Sequence, residues 1–305
     1  MHLHQRTVAG EVSFSGTGVH SGRTVNLTIK PAPPNHGIKF VRTDLRNAPS
    51  IPGVFKMVTD TTSATVLGNN GVIVSTVEHL MACLAGLSID NALIEIDAYE
   101  VPILDGSAYP FVKIINQVGI RRQDAQRCFF IIKKPISIEE DGKTAAIYPD
   151  SRFRISYTIE YETPLIGRQT YSVDINEDTF TKEISPARTF GFYKEYQLLQ
   201  AHGLARGGSL DNAVVIDGDS VLNQDGLRYP DEFVRHKILD CVGDFSLLGM
   251  PVLGHIVARK SGHLFNHKLL TALFASRDCW ETACFPPPRQ PAATGAESRL
   301  KSLAI

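Results

Sequence analysis

Three segments of the chain place imidazole and carboxylate side chains at spacings that suit a metal ion. Glu78 and His79 are adjacent, His236 and Asp240 are separated by one helical turn, and His263 follows a glycine. Residues at i and i+4 lie on one face of a helix, so His236 and Asp240 can bind one ion together. A carboxylate beside a metal ligand can take a proton from water. These residue types therefore indicate metal-assisted hydrolysis.

Each segment also has a simpler structural explanation. The acidic and imidazole positions of the second segment recur at steps of four, which is equally typical of a charged, solvated helix face. Ser75 and Glu78 fit a capping box, in which the Glu78 carboxylate only satisfies a backbone N–H. His263 has the surroundings of a turn histidine that hydrogen-bonds to the backbone. The local patterns alone leave these alternatives open.

Two helices have to position these side chains, and each is followed by a strand. The predicted elements are helix 76–85 with strand 92–96, and helix 231–248 with strand 252–258. This echo favours two similar α+β layers whose helices face each other, so that His79 and His236 meet at the seam. The arrangement differs from H-E-x-x-H, which puts both histidines on one helix.

Periodicity and turn residues predict the remaining organisation. Strands are predicted at residues 24–29, 129–132 and 153–159, and helices at residues 108–118, 193–202 and 266–276. Residues 43–71 are predicted to be irregular. The predicted domains are residues 1–127 and 128–285, followed by a flexible Pro/Ala/Ser-rich tail at residues 286–305.

Composition narrows the class of protein. The 305 residues are 43% hydrophobic and 21% charged with a formal net charge of −1, which indicates a folded protein without a field that attracts nucleic acid. Five cysteines without a C-x-x-C pair favour reduced thiols over a disulfide framework. The N-terminus lacks an apolar signal region and no apolar run could span a membrane, so we expect a cytoplasmic protein.

Longer motifs in a fixed order resemble the UDP-3-O-acyl-N-acetylglucosamine deacetylases, the zinc amidases of lipid A biosynthesis in Gram-negative bacteria. The resemblance covers nearly the whole chain to about residue 285. Its most specific motifs are Thr17-Gly18-Val19-His20-Ser21-Gly22, Ser75-Thr76-Val77-Glu78-His79-Leu80, Ala187-Arg188-Thr189-Phe190-Gly191-Phe192, Leu222-Asn223-Gln224-Asp225-Gly226-Leu227-Arg228 and Asp231-Glu232-Phe233-Val234-Arg235-His236-Lys237.

The resemblance implies a fold and a set of roles. The fold is α+β, with two similar domains, each a helix pair on a sheet, and the active site between them. One catalytic Zn²⁺ would remove the N-acetyl group as acetate, the committed step of lipid A biosynthesis. The roles implied by motif position are metal ligands at His79, His236 and Asp240; general base at Glu78; acid partner at His263, supported by Asp244; and oxyanion contact at Thr189.

The substrate-binding positions follow from the same resemblance. They are Lys237 as a cation and an acyl passage at about residues 190–213 that includes Phe190, Tyr196, Gly208, Ser209 and Ala213. His20 is a candidate on separate grounds, because the glycines that flank it would let it line a cleft. Tyr196 is bulkier than the aliphatic residue usual there. Iron(II) as the metal and Glu78 as the proton donor stay open. We expect a monomer whose partner is its substrate. The alternative functions are a metal-dependent amidase for another acylated sugar or a peptide, and a non-catalytic nucleotide- or lipid-binding protein.

Overall fold

A five-stranded sheet forms the centre of the first half of the chain in the computed structural model, which describes residues 2–285. Its elements are β1 (His4–Val8), β2 (Val12–Thr17), β3 (Thr24–Pro31), β4 (Ile38–Arg42), β5 (Ser50–Pro52), a 3-10 turn (Phe55–Met57), β6 (Val58–Asp60), β7 (Val66–Asn69), β8 (Val72–Val74), α1 (Glu78–Gly86), β9 (Ala92–Ile96), α2 (Tyr109–Val118) and β10 (Ile120–Gln126). The sheet order is β2-β3-β9-β4-β5. Alternation in β3 buries Val25, Leu27 and Ile29 and turns the polar residues between them outward.

The second half is built around a larger sheet. Its elements are β11 (Cys128–Ile132), β12 (Ile136–Glu140), β13 (Lys143–Tyr148), β14 (Phe153–Glu160), β15 (Arg168–Asp174), α3 (Glu177–Thr179), a π-helical turn (Phe180–Ile184), β16 (Phe190–Phe192), α4 (Tyr193–Ala201), β17 (Val214–Asp217), β18 (Ser220–Val221), α5 (Glu232–Ser246), β19 (Val252–Arg259), α6 (His263–Ala275), a 3-10 turn (Arg277–Cys279) and β20 (Trp280–Cys284). β19 is central and pairs with β13, β14 and β11.

The two halves share one topology. In the first, β9 lies antiparallel to β3 of the β2–β3 hairpin and parallel to β4, whose other neighbour is β5. In the second, β19 lies antiparallel to β13 of the β12–β13 hairpin and parallel to β14, whose other neighbour is β15. Helices α1 and α5 immediately precede the two central strands. The predicted α+β fold with two similar halves is therefore confirmed.

Each half carries an insert at the same point of this topology: between β5 and α1 in the first half, and between β15 and α5 in the second. The first insert is residues 53–77 and forms the small sheet β6–β8. The second insert is residues 175–231 and contains α3, α4 and the small sheet β16–β18. The predicted irregular stretch at residues 43–71 thus contains the short strands β5, β6 and β7, because its Val and Thr residues favour strands while its Pro and Gly residues keep them short.

Helices α1 and α5 pack against each other and join the two halves. Gly243 of α5 lies against the Glu78 backbone, so that a Cβ added at Gly243 would be 2.2 Å from the carbonyl oxygen of Glu78. Nearly all of α1 and α5 is buried, including His236, Asp240 and Asp244. The solvated-face explanation for the second segment is therefore wrong. None of the helices in residues 2–285 is long and apolar enough to cross a membrane.

Two sequence-based expectations need correction. A disulfide joins Cys128 to Cys284, which lie directly opposite each other on β11 and β20, so the expectation of reduced thiols fails for this pair. A disulfide between cysteines separated by 156 positions leaves no local signal in the sequence.

Helix α6 begins at His263, three residues before its predicted start, because extended Gly262 serves as its N-cap. The expected flexible tail at residues 286–305 lies outside the described residues.

Candidate metal centre

Two imidazoles and one carboxylate converge where α1 packs on α5. His79 is the second residue of α1, and His236 and Asp240 lie one turn apart on α5. Their candidate ligand atoms all lie within 4.8 Å of one another. Asp240 Oδ1 is 3.6 Å from His79 Nε2 and 3.3 Å from His236 Nε2, and the two imidazole rings are nearly perpendicular. All three side chains are buried.

The chemistry of this cluster fits a divalent cation. Asp240 Oδ1 is buried and has no hydrogen-bond partner among residues 2–285, although burying a carboxylate oxygen alone is costly. Burial lowers the pKa of His236 to about 3, so its imidazole is neutral. Its Nδ1 donates a hydrogen bond to the Ala187 carbonyl, so the lone pair on Nε2 is available to a cation. A cation between these atoms would satisfy them all. His, His and Asp ligands suit zinc and also iron(II).

Asp240 stays ionised in spite of its burial. Burial alone would raise the pKa of its carboxyl, but the positive charges of Lys237 and His263 help to outweigh burial and hold that pKa well below its ordinary value. Lys237 Nζ donates to Asp240 Oδ2 at 2.7 Å, which leaves Oδ1 for the two histidines. The two oxygens of one carboxylate therefore face different partners.

Glu78 is a buried carboxylate beside this cluster. No side chain caps the start of α1, where Val77 is the N-cap, so the capping-box explanation for Glu78 is wrong. Instead, Glu78 Oε2 accepts a hydrogen bond from the Thr65 backbone N–H at 3.0 Å. Burial raises the pKa of Glu78 above its ordinary value, even though His263 and His79 oppose the shift. A carboxylate with a raised pKa is suited to proton transfer near neutral pH.

His263 and Asp244 form a second polar pair on the same side of the cluster. His263 Nδ1 is 2.9 Å from Asp244 Oδ2, and His263 Nε2 lies 3.9 Å from both Glu78 Oε1 and Asp240 Oδ2. Burial would lower the pKa of His263, but the charges of Asp244 and Asp240 raise it to about 10. The turn-histidine explanation is wrong, because His263 begins α6 and bonds to a carboxylate.

Two residues that support this pair are absent from the sequence-based set. Thr65 Oγ1 donates to Asp244 Oδ1 at 2.7 Å, so Thr65 holds Glu78 through its backbone and Asp244 through its side chain. Asn266 Nδ2 donates to Asp244 Oδ2 at 2.8 Å. Asn266 could have been found, because it lies one turn after His263. Nothing in the Thr-rich run around Thr65 gives a comparable signal.

The cluster opens into a cavity of about 580 Å³. Besides the site residues already described, its walls include Thr189, Phe190, Lys237 and His20. Lys237 Nζ lies 5.7 Å from the centre of the Phe190 ring. The backbone N–H of His20 donates to Glu100, and its ring Nδ1 is buried without a hydrogen-bond partner among the described residues.

The remaining predicted substrate positions lie in the second insert, away from the walls of this cavity. Tyr196 of α4 donates its hydroxyl to the Gly208 carbonyl at 3.2 Å, while Ser209 and Ala213 bond to asparagines of the same insert. Leu199, on the same helix as Tyr196, does line the cavity. The structure thus brings the metal-site residues together, whereas these four positions are not among the residues that line the cavity.

Comparisons with known proteins agree with this geometry. A family model described as UDP-3-O-acyl N-acetylglycosamine deacetylase matches residues 5–275. Similar proteins named UDP-3-O-acyl-N-acetylglucosamine deacetylase include one from Myxococcus xanthus, 52% identical over 278 residues, or 91% of this chain and 88% of the relative. Another, from Chromohalobacter salexigens, is 48% identical over 292 residues, or 95% of this chain and 96% of the relative.

Proposed function

Because this chain belongs to the UDP-3-O-acyl N-acetylglycosamine deacetylase family, we infer that it hydrolyses the N-acetyl group of UDP-3-O-acyl-N-acetylglucosamine with a metal held by His79, His236 and Asp240. The reaction breaks the amide C–N bond and yields acetate and the free amine. This deacetylation is a step of lipid A biosynthesis.

One observation carries the assignment of the site. The buried Asp240 Oδ1 faces two imidazole Nε2 atoms and has no hydrogen-bond partner within residues 2–285, while Glu78 and His263 lie beside it on the same cavity. A binding protein needs a cavity, but it does not need a carboxylate with a raised pKa next to a protonated imidazole. This combination favours a hydrolase over a non-catalytic nucleotide- or lipid-binding protein.

We propose Zn²⁺ as the ion. A bound Zn²⁺ supplies a Lewis acid, which polarises an amide carbonyl and lowers the pKa of water to roughly 7. Asp240 Oδ1 and the Nε2 atoms of His79 and His236 would hold it, and the hydrogen bond from His236 Nδ1 to Ala187 fixes the orientation of the His236 ring.

Glu78 and His263 divide the proton transfers in this proposal. Glu78, whose pKa burial raises, accepts the proton of the attacking water. His263, whose pKa of about 10 keeps it protonated near neutral pH, donates a proton to the leaving nitrogen, which would otherwise depart as a poor leaving group. Its positive charge and the Thr189 hydroxyl would stabilise the oxyanion of the tetrahedral intermediate. Asp244 orients His263 through the bond to Nδ1.

Substrate contacts are assigned by position in the family, apart from that of His20, which rests on its flanking glycines. Lys237 and His20 line the cavity and would contact polar parts of the substrate. Phe190 lies on the cavity wall next to the second insert, where Tyr196, Gly208, Ser209 and Ala213 would border the acyl chain. The hydrogen bond from the Tyr196 hydroxyl to the Gly208 carbonyl joins two parts of this insert, which supports a passage that limits the length of the acyl chain.

Metal analysis combined with an acetate-release assay tests the proposal. The purified protein is expected to contain one equivalent of zinc and to release acetate from UDP-3-O-acyl-N-acetylglucosamine. A chelator should abolish the release, and added Zn²⁺ should restore it. Failure of the metal-loaded protein to release acetate would refute the function. Equal activity on a soluble N-acetyl amino sugar without the acyl chain would point to an amidase of different specificity.

We also propose a monomeric, cytoplasmic protein divided near residue 127. The Cys128–Cys284 disulfide opposes the cytoplasmic location, because such bonds are rare in reducing compartments. Trapping thiols in intact cells before purification tests it. Five trapped thiols would favour a reducing compartment, and three would contradict it.

Light scattering tests whether the protein is a monomer, and limited proteolysis tests the domain boundary near residue 127.

A further inference from the structure

A fully buried carboxylate lies at the first turn of α5, one turn before His236. Glu232 Oε1 accepts hydrogen bonds from the backbone N–H and the Nε of Arg188, at 3.0 Å and 2.9 Å. Its Oε2 accepts from Arg188 Nη2 at 3.2 Å and from the Arg228 backbone N–H at 2.6 Å. Four donors thus saturate one carboxylate, which does not touch the cavity described above.

Arg188 connects this carboxylate to a second segment of the same insert, at residues 225–228. Its Nη1 donates to Asp225 Oδ2 at 3.1 Å and its Nη2 donates to the Gly226 carbonyl at 2.6 Å. Arg188 is itself buried. The planar guanidinium therefore ties α5, the segment around Arg188 and the segment at residues 225–228 together at one point, which a lysine could not do.

The segment held by Arg188 borders the metal cluster on both of its sides. The residue before it, Ala187, accepts the hydrogen bond from His236 Nδ1 at 3.1 Å. The residue after it, Thr189, lines the cavity. Glu232 and His236 lie on the same helix, α5. Glu232 binds Arg188, and the neighbouring Ala187 accepts a hydrogen bond from His236, so these contacts connect α5 to itself through the Ala187–Arg188 segment.

We propose that Glu232 and Arg188 are positioning residues for the metal ligand His236. The pair fixes the Ala187 carbonyl, and this carbonyl fixes the tautomer and the orientation of the His236 ring. It also holds Thr189 at the opposite end of the same tripeptide. The inference rests on the proposed function, because it takes His236 to be a ligand. Mutation of the groups that orient a ligating histidine typically lowers the metal affinity by about 10–100-fold.

A purely structural role is the competing explanation, because breaking any buried ion pair destabilises a protein. The chain offers a matched control. Asp90 and Arg127 form another largely buried pair, with Nε 2.7 Å from Oδ1, and Asp90 also accepts a backbone N–H, from Arg6. Asp90 does not line the metal cavity. Asp90→Asn removes the same kind of charge away from the metal cluster.

The experiment compares zinc affinity in wild type, Glu232→Gln and Asp90→Asn by chelator competition, together with the visible spectrum of the Co²⁺-substituted proteins. Glu232→Gln is expected to weaken zinc binding by about 10–100-fold and to change the Co²⁺ bands. Asp90→Asn is expected to match wild type in both. Wild-type zinc affinity and Co²⁺ spectrum in Glu232→Gln would overturn the proposal, even if its Tm falls. An equal loss in Asp90→Asn would overturn it as well.

Two further outcomes are distinguishable. If Glu232→Gln does not fold, Arg188→Lys replaces it, since it keeps the charge and loses the bidentate fork. Weakened zinc binding in that variant supports the proposal, and unchanged affinity and spectrum overturn it. A wild-type protein that binds no zinc would overturn the proposed metal site together with this inference, whereas failure of the positioning role alone leaves wild-type binding intact.

Discussion

Replacing Gly243 with alanine should damage the metal site more than the fold. The added Cβ would be 2.2 Å from the Glu78 carbonyl oxygen and 2.9 Å from its carbonyl carbon. Ordinary contact begins at 3.4 Å, so α1 and α5 must separate by roughly 1 Å. The obstacle is helix backbone, which cannot rotate away as a flexible side chain would.

This separation acts directly on the ligands, because α1 carries His79 and α5 carries His236 and Asp240. The distance between His79 Nε2 and Asp240 Oδ1, 3.6 Å in the structure, would grow by a similar amount. A misplacement of about 1 Å can cost about 10²-fold in rate, or roughly 2.7 kcal/mol of transition-state stabilisation. Overpacking costs the fold about 1–3 kcal/mol, and the gain in helix propensity from Gly to Ala returns up to about 1 kcal/mol.

The assay measures kcat/KM for acetate release, zinc affinity and thermal unfolding of one preparation. Gly10→Ala is the control, because the nearest atom to its added Cβ, Val118 Cβ, is 3.8 Å away. We expect Gly10→Ala to behave as wild type in all three. A folded Gly243→Ala protein with wild-type kcat/KM and zinc affinity would show that the helix contact does not set the ligand geometry.

Three further predictions concern single side chains. Glu78→Gln should keep its zinc and lose about 10²–10⁴-fold in kcat, measured by metal analysis and acetate release; loss of metal from the folded variant would contradict the role as base. Asp244→Asn removes a charge that raises the pKa of His263 to about 10, so this pKa should fall. The alkaline decline of kcat/KM should then begin about 1–3 pH units lower, and an unshifted profile would exclude His263 as the acid. Tyr196→Ala breaks the contact with Gly208 and should raise kcat/KM for longer acyl chains relative to shorter ones; an unchanged ratio would remove Tyr196 from the passage.

The sequence predicts most of the regular elements, because their signals are local. Strand β9 matches its prediction at both ends, and α4 differs from its prediction by one residue, since alternation and helical period are properties of short windows. The early start of α6 at His263 is missed because Gly262 has the character of a turn. The strands β5–β8 are missed because three- and four-residue strands carry little alternation.

The site is only partly accessible to the same reasoning. Spacing puts His236 and Asp240 on one face, but the meeting with His79 depends on the packing of α1 on α5, which no short window contains. Family resemblance supplies that meeting in advance. The supports Thr65 and Glu232 stay hidden, because their partners lie far away in the sequence.

The position of the two inserts bears on how enzymes of this kind can diversify. Both leave the shared topology between the last sheet strand and the helix that follows, and both border the cavity, the first through Thr76 and the second through Thr189 and Phe190. The atoms proposed to bind metal belong to the helices instead. The proposed acid and base lie on helices as well, so the second insert contributes to the reaction chiefly through residues 187–189, while the stretch after them is left to border the acyl chain. Exchanging only residues 191–213 between relatives should transfer the preference for acyl-chain length, because this exchange leaves residues 187–189 and the metal ligands in place.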